Sequence, residues 1–196
     1  IYAQADALDQ FRIDGIGHNI PFLAAMMQHP RWREGRLSTG FIAEEYPAGF
    51  QPREAAGVEQ ETLAAVAAAV DHVCNLRRRS ISQQMTGDVV SFARRRVVQL
   101  GEEARHLDIT GDGDGPFYVT FAGPGGVHGR TMEVASSWWP GQPVWRGKVD
   151  GRGVAVQVWP VPNGWRLAWR GITTRAIVYT EREAELAALM PAKIAD

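Results

Sequence analysis

Residues 63–70 read Leu-Ala-Ala-Val-Ala-Ala-Ala-Val, a run without a polar side chain. The run sits inside Gln60–Arg79, QETLAAVAAAVDHVCNLRRR, where strong helix formers dominate. A surface helix carries one apolar stripe, whereas a helix apolar on every side must be buried on every side. The run is too short to cross a bilayer, which takes ~20 apolar residues. Glu59 and Glu61 stand at the positive end of the helix dipole and Arg77, Arg78 and Arg79 at the negative end. At ~1.5 Å per residue such a helix is about 30 Å long, the diameter of a small domain. The chain beyond it reads mostly as strand. The sequence therefore predicts an α+β fold, a long central helix surrounded by an antiparallel barrel of about eight strands. Leu63, Val66, Val70 and Val73 are its core residues. One helix of an ordinary bundle is the alternative, but the rest of the chain has too little helix to build a bundle.

The strands are short and regular. They are expected at Arg95–Leu100, Arg105–Ile109, Phe117–Ala122, Arg130–Ser136, Val144–Val149, Val154–Val161, Trp165–Arg170 and Ile172–Tyr179. Several alternate cleanly: Phe117, Val119 and Phe121 share one face, as do Val154, Val156 and Val158. Asp112-Gly-Asp-Gly, Gly123-Pro-Gly-Gly, Asp150-Gly and Asn163-Gly supply turns between them. A last helix spans Glu181–Leu189.

Ahead of the central helix, residues 3–10 read as helix, and Phe11, Ile13 and Ile16 as a short strand. Ile20–Met27 is a helix with Asn19 as N-cap and Pro21 in its first turn. Phe41–Tyr46 is one more helical turn, and Pro47–Gly57 a linker. This α/β pattern is too small to close its own core. Residues 1–50 are therefore expected to be the tail of a larger upstream domain, 51–190 the barrel domain and 191–196 the start of another linker.

The chemistry-bearing residues are sparse. Gly123-Pro-Gly-Gly-Val-His-Gly lies between two strands, whereas a phosphate cradle needs a helix N-terminus after it. Asp112 and Asp114 lack the rest of a calcium loop. The histidines have no metal spacing, and Cys74 fits a small core residue. The triple arginines 77–79 and 94–96 fit a helix end and a solvated strand start better than a phosphate site. The tryptophans between Trp138 and Trp169 fit barrel core or interface. A net charge of −1 argues against a nucleic-acid surface, and no stretch is a membrane span. No residue is nominated as catalytic, cofactor-binding or metal-binding. Ser80–Ala93, SISQQMTGDVVSFA, is a long connection that is apolar for a loop. Its Ile81, Met85, Val89, Val90 and Phe92 suggest a partner surface.

Two strings carry a resemblance. ALDQFRIDGIGHNIPFLAAMMQHP followed by STGFIAEEYPAGF, within Ala7–Phe50, resembles the end of the biotin carboxylase domain of propionyl-CoA carboxylase alpha subunits. EAELAALMPAK, Glu183–Lys193, resembles the segment just before their biotin carrier domain. The resemblance implies that 1–50 closes an ATP-grasp-type domain. It implies that 51–190 is the helix-in-barrel domain gripping the carboxyltransferase beta subunit, with 80–93 as an extended hook. It further implies ATP, Mg and biotin as cofactors of the whole enzyme, none held by this segment. Other implications are the biotin carrier domain of the same chain as a second partner and an assembly of six alpha and six beta subunits. The location would be the bacterial cytoplasm, or the mitochondrial matrix in a eukaryote. The ATP-binding portion would lie upstream of Ile1 and the biotinylation site downstream of Asp196. The alternatives are a methylcrotonyl-CoA or acetyl-CoA carboxylase alpha subunit, or an unrelated ligand-binding barrel.

Overall fold

The computed structural model describes residues 1–81, 92–113, 115–123, 125 and 128–190. Its centre is α5 (Gly57–Arg79), preceded by α1 (Tyr2–Gln10), α2 (Ile20–Gln28), α3 (Pro30–Arg33) and α4 (Phe41–Glu45). Eight strands come after it: β1 (Arg95–Leu100), β2 (Glu103–Thr110), β3 (Phe117–Ala122), β4 (His128–Ser136), β5 (Val144–Val149), β6 (Arg152–Val161), β7 (Gly164–Trp169) and β8 (Ile172–Tyr179). The last helix is α6 (Glu181–Ala188). The class is α+β, and every strand pairs antiparallel with its sequence neighbours. β8 also pairs with β1, Val97 opposite Tyr179 and Leu100 opposite Ala176, so the ring closes as a barrel without an edge.

The interior belongs to α5. Leu63, Ala64, Ala65, Val66, Ala67 and Val70 are fully buried, packed against Val98, Ile109, Val119, Met132, Val156, Leu167 and Ile172 from the strands. The alanines let the surrounding strands come close to the helix backbone. Each fully buried Val or Leu contributes ~1.5–3 kcal/mol relative to exposure. Val73, one turn on, is only half-buried but still packs on this core. The glycines at two hairpin turns are needed there. Asp150-Gly151 and Arg170-Gly171 both have positive φ at each residue (49° and 75°, 50° and 77°), as a two-residue turn matched to strand twist requires.

The N-terminal part departs from expectation. No strand forms over 11–19, and residues 1–56 contain no strand at all. The physical reason is the closed ring, which leaves no free edge for Phe11–Ile16 to join. Instead α1, α2 and α4 gather a small core of Leu8, Ile20, Ala24, Met26, Met27 and Phe41, and α1 and α2 lie against β6 and β8. Residues 47–56 are irregular, as a linker should be, and α5 starts at Gly57.

Candidate functional site

The joint between the helices and the barrel is built from polar groups reaching both ways. The outward residues of β6 alternate with Val156 and Val158, which face α5. Gln157 Nε2 donates to the Leu8 carbonyl at 3.1 Å. Trp159 Nε1 donates to Asp14 at 2.5 Å, and Arg12 donates to the Val158 carbonyl at 3.0 Å. The guanidiniums of Arg12 and Arg166 lie 4.9 and 4.6 Å from the Trp159 ring centre. Arg146 reaches Gln10 at 3.0 Å. The β7–β8 turn is gripped by both helices. Asp9 on α1 accepts from the Arg170 N–H at 2.8 Å. Gly171 packs so closely on α2 that a Cβ there would sit 2.6 Å from the Ala25 Cβ. Asp9 is 6% exposed. Burial pushes its carboxyl up to about 7, against the opposing pull of the Arg170 N–H and guanidinium. A cavity of about 360 Å³ remains in this joint, lined by Asp9, His18, Trp159 and Arg166 among others.

Around the entry of α5, polar residues tie the helix to the rim. Arg53 forms a two-point pair with Glu59 at 2.5 and 2.7 Å. Gln60 bridges Glu103 at 2.6 Å and Arg105 at 2.7 Å. Arg130 pairs with Glu61 at 3.2 Å and Asp150 at 2.6 Å.

At the exit of α5, Arg96 points inward and is 4% exposed, so it is not part of a solvated strand start. It pairs with Asp71 at 3.5 Å and donates to the Ala93 and Arg95 carbonyls. Burial raises the Asp71 carboxyl, with Arg96 offsetting part of the rise. Burial likewise pushes the half-buried Cys74 thiol up, which suits a packing role rather than a reactive one. Trp138 is buried and stands edge-on to Trp165 at 6.3 Å, so it is core rather than a surface residue, whereas Trp139 is 54% exposed.

Of the proposed partner-surface residues, Ile81 is 60% exposed and Phe92 half-buried. Met85, Val89 and Val90 lie outside the described residues, as do Asp114 and 191–196. The Gly-rich run after β3 leads into β4, so the element after it is a strand rather than a helix N-terminus. Among the described residues no cluster of His, Cys, Asp and Glu has metal-ligand geometry, and no helix is long and apolar enough to cross a membrane. Periodicity alone does not reveal the joint. Its signal is a tryptophan and a glutamine at outward positions of a strand whose inward positions are all valine.

Residues 63–193 match the family described as the propionyl-coenzyme A carboxylase BT domain. The chain belongs to this family. It is 38% identical over 194 residues to the propionyl-CoA carboxylase alpha chain of Ruegeria pomeroyi, covering 99% of this chain and 28% of that one. It is 27% identical over 194 residues to the mitochondrial alpha chain of Mus musculus, covering 96% of this chain and 26% of that one. Against the Homo sapiens alpha chain the identity is 26% over 136 residues, covering 68% and 18%. The chain thus spans about a quarter of its fullest-matching relatives. The match takes in α5 from Leu63 on, the whole barrel and α6, and the first two form one core.

Proposed function

We propose that this chain is the part of a propionyl-CoA carboxylase alpha chain that docks the carboxyltransferase beta subunit and itself performs no chemistry. One observation carries this reading: the barrel interior is taken up by α5, with Leu63–Val70 at most 1% exposed. An open barrel of this size holds one small ligand, whereas a filled one is a rigid body suited to holding other parts in place. The family supports the same reading against a free-standing ligand-binding barrel.

In this reading the whole alpha chain carboxylates biotin with ATP, Mg and bicarbonate. The carboxyl group then passes to propionyl-CoA on the beta subunit, giving methylmalonyl-CoA. Residues 1–50 close the biotin carboxylase domain, and 191–196 lead to the biotin carrier domain. Residues 80–93 reach towards the beta subunit, within an assembly of six alpha and six beta chains. The enzyme would work in the bacterial cytoplasm or the mitochondrial matrix.

The test uses full-length alpha mixed with beta. Parent alpha should co-elute with beta on gel filtration. Phe92→Ala combined with Val90→Asp should weaken co-elution while leaving the melting temperature nearly unchanged. Carboxylation of propionyl-CoA should fall while biotin-dependent ATP cleavage persists. Failure of parent alpha to associate with beta would overturn the reading.

A further inference from the structure

We propose that the β4–β5 loop, residues 137–143, holds Trp139 outward as an anchor for the beta subunit, with the arginines at the end of α5 supplying charge beside it. This rests on the docking role above and deepens it, since the loop is separate from residues 80–93.

The loop is fixed from both sides. Trp138 is its inward root, 5% exposed, and donates its indole N–H to the Gln142 carbonyl at 3.0 Å. The Trp138 backbone N–H donates to Ser136 Oγ at 3.0 Å, and that hydroxyl donates to the Arg146 carbonyl at 2.5 Å. Gln142 closes the turn. Its side-chain oxygen accepts from the Trp139 N–H at 3.1 Å, and its own N–H donates to the Trp139 carbonyl at 3.0 Å. Pro140 restricts the backbone, and Gly141 takes φ +105°. These bonds order the turn, while the Trp139 side chain stays largely in water, the residue being 54% exposed. A large aromatic side chain on a backbone that is already ordered loses little entropy on binding, and Trp and Arg are the residues that most often dominate protein interfaces.

The surroundings select the occupant. The Arg77 guanidinium lies 5.5 Å from the Trp139 ring centre. Arg77 and Arg79 are exposed in the last turn of α5, and Arg94 is exposed where the chain returns to β1. None of the three forms an ion pair among the described residues. Ile81, 60% exposed, comes directly after. An apolar pocket rimmed by carboxylates is the complementary surface. A second copy of this chain is a poor occupant, because a two-fold contact would bring one set of arginines against the other. The outer face of β6 and β8 is already taken by α1 and α2, so that part of the wall is occupied internally.

The test is the affinity of full-length alpha for beta, measured by sedimentation across a beta titration. Trp139→Ala should weaken association by about tenfold or more with an unchanged melting temperature. Arg77→Ala combined with Arg79→Ala should weaken it more at low salt than at high salt. Affinity within about twofold of the parent for Trp139→Ala overturns the proposal. Should Trp139→Ala lower the melting temperature, the arginine pair decides, and parent-like affinity at low salt overturns it. If parent alpha does not bind beta but binds single-stranded oligonucleotide, the docking reading falls and this inference with it.

Discussion

The two ends of α5 are finished in opposite ways. At the entry, Glu59, Gln60 and Glu61 each find a partner on the linker or rim: Arg53, Glu103 with Arg105, and Arg130. At the exit, the polar partners lie inside, where Arg96 meets Asp71, while Arg77 lies over Trp139 and Arg79 is exposed. Both ends match the helix dipole, so the dipole does not explain the asymmetry. What differs is closure. Among the described residues, the entry end is closed on the protein's own groups, and the exit end carries exposed aromatic, aliphatic and cationic side chains. The entry end thus uses its outermost charged side chains on the protein itself, whereas among the described residues the exit end leaves Arg77 and Arg79 without an ion pair.

The comparison breaks first if α5 is not the core. Val66 is fully buried at its midpoint. Val66→Asp loses ~1.5–3 kcal/mol of burial and adds several kcal/mol for an unpaired charge. Against a typical stability of about 5–15 kcal/mol this should leave the barrel unfolded. Circular dichroism with a normal cooperative melt would put α5 on the surface.

A smaller effect is expected at the joint. Gly171→Ala places a Cβ against Ala25 and forces a left-handed backbone on alanine, which costs ~1–2 kcal/mol before any clash. The melting temperature should fall by several degrees. Adding Ala25→Gly should recover little of the loss, because the Ala25 Cα and N, each 2.7 Å from the new Cβ, stay in place. Full recovery, or no loss at all, would mean that the turn does not seat on α2.

The buried Asp9 gives the joint a pH dependence of known sign. Its folded value, about 7, lies above its ordinary 3.8. Between the two the folded state holds the extra proton, so stability falls as pH rises from about 4 to 7 and is flat above. Asp9→Asn keeps an oxygen to accept from the Arg170 N–H and carries no charge. It should melt a few degrees above the parent at pH 8 and converge with it near pH 4. A parent and variant that differ equally at both pH values would place the Asp9 carboxylate in water.

What is legible in the sequence is what periodicity encodes. The all-apolar run of α5 announces burial on every side, and valines at alternate positions announce the inward faces of β6. β1, β3, β5 and β8 begin and end where alternation places them, and the eight strands close around the helix. Arg12 and Asp14 interrupt Phe11–Ile16 with charges whose use is invisible locally, because their partner, Trp159, lies 145 residues from Asp14. The apparent strand there is a polar strap. Arg96 misleads for a similar reason: three consecutive arginines look solvated until Asp71, on another element, draws one inside. The Trp138-Trp139 pair divides within the β4–β5 loop, Trp138 turned inward and Trp139 outward, and only the structure says which ring is wet. Polar joints and surface anchors depend on long-range pairing, which single-sequence periodicity does not contain.

The smallest expected effect tests the open end. Ile81 comes after the Ser80 cap of α5, which donates its N–H to the Arg77 and Leu76 carbonyls, and its own side chain is 60% exposed. Its N–H bond to Arg78, at 3.4 Å, is backbone and survives substitution. Ile81→Ser therefore removes apolar surface that is mostly in water already, and surface changes of this kind stay within about 0.5 kcal/mol. The melting temperature should move by no more than about 2 °C. At the joint, Gly171→Ala changes one methyl group and is expected to cost more than the whole Ile81 side chain. If Ile81→Ser instead melts as low as Gly171→Ala, the exit of α5 is covered by the protein itself. The asymmetry between its two ends is then lost, and the outward-facing role of Trp139 with it.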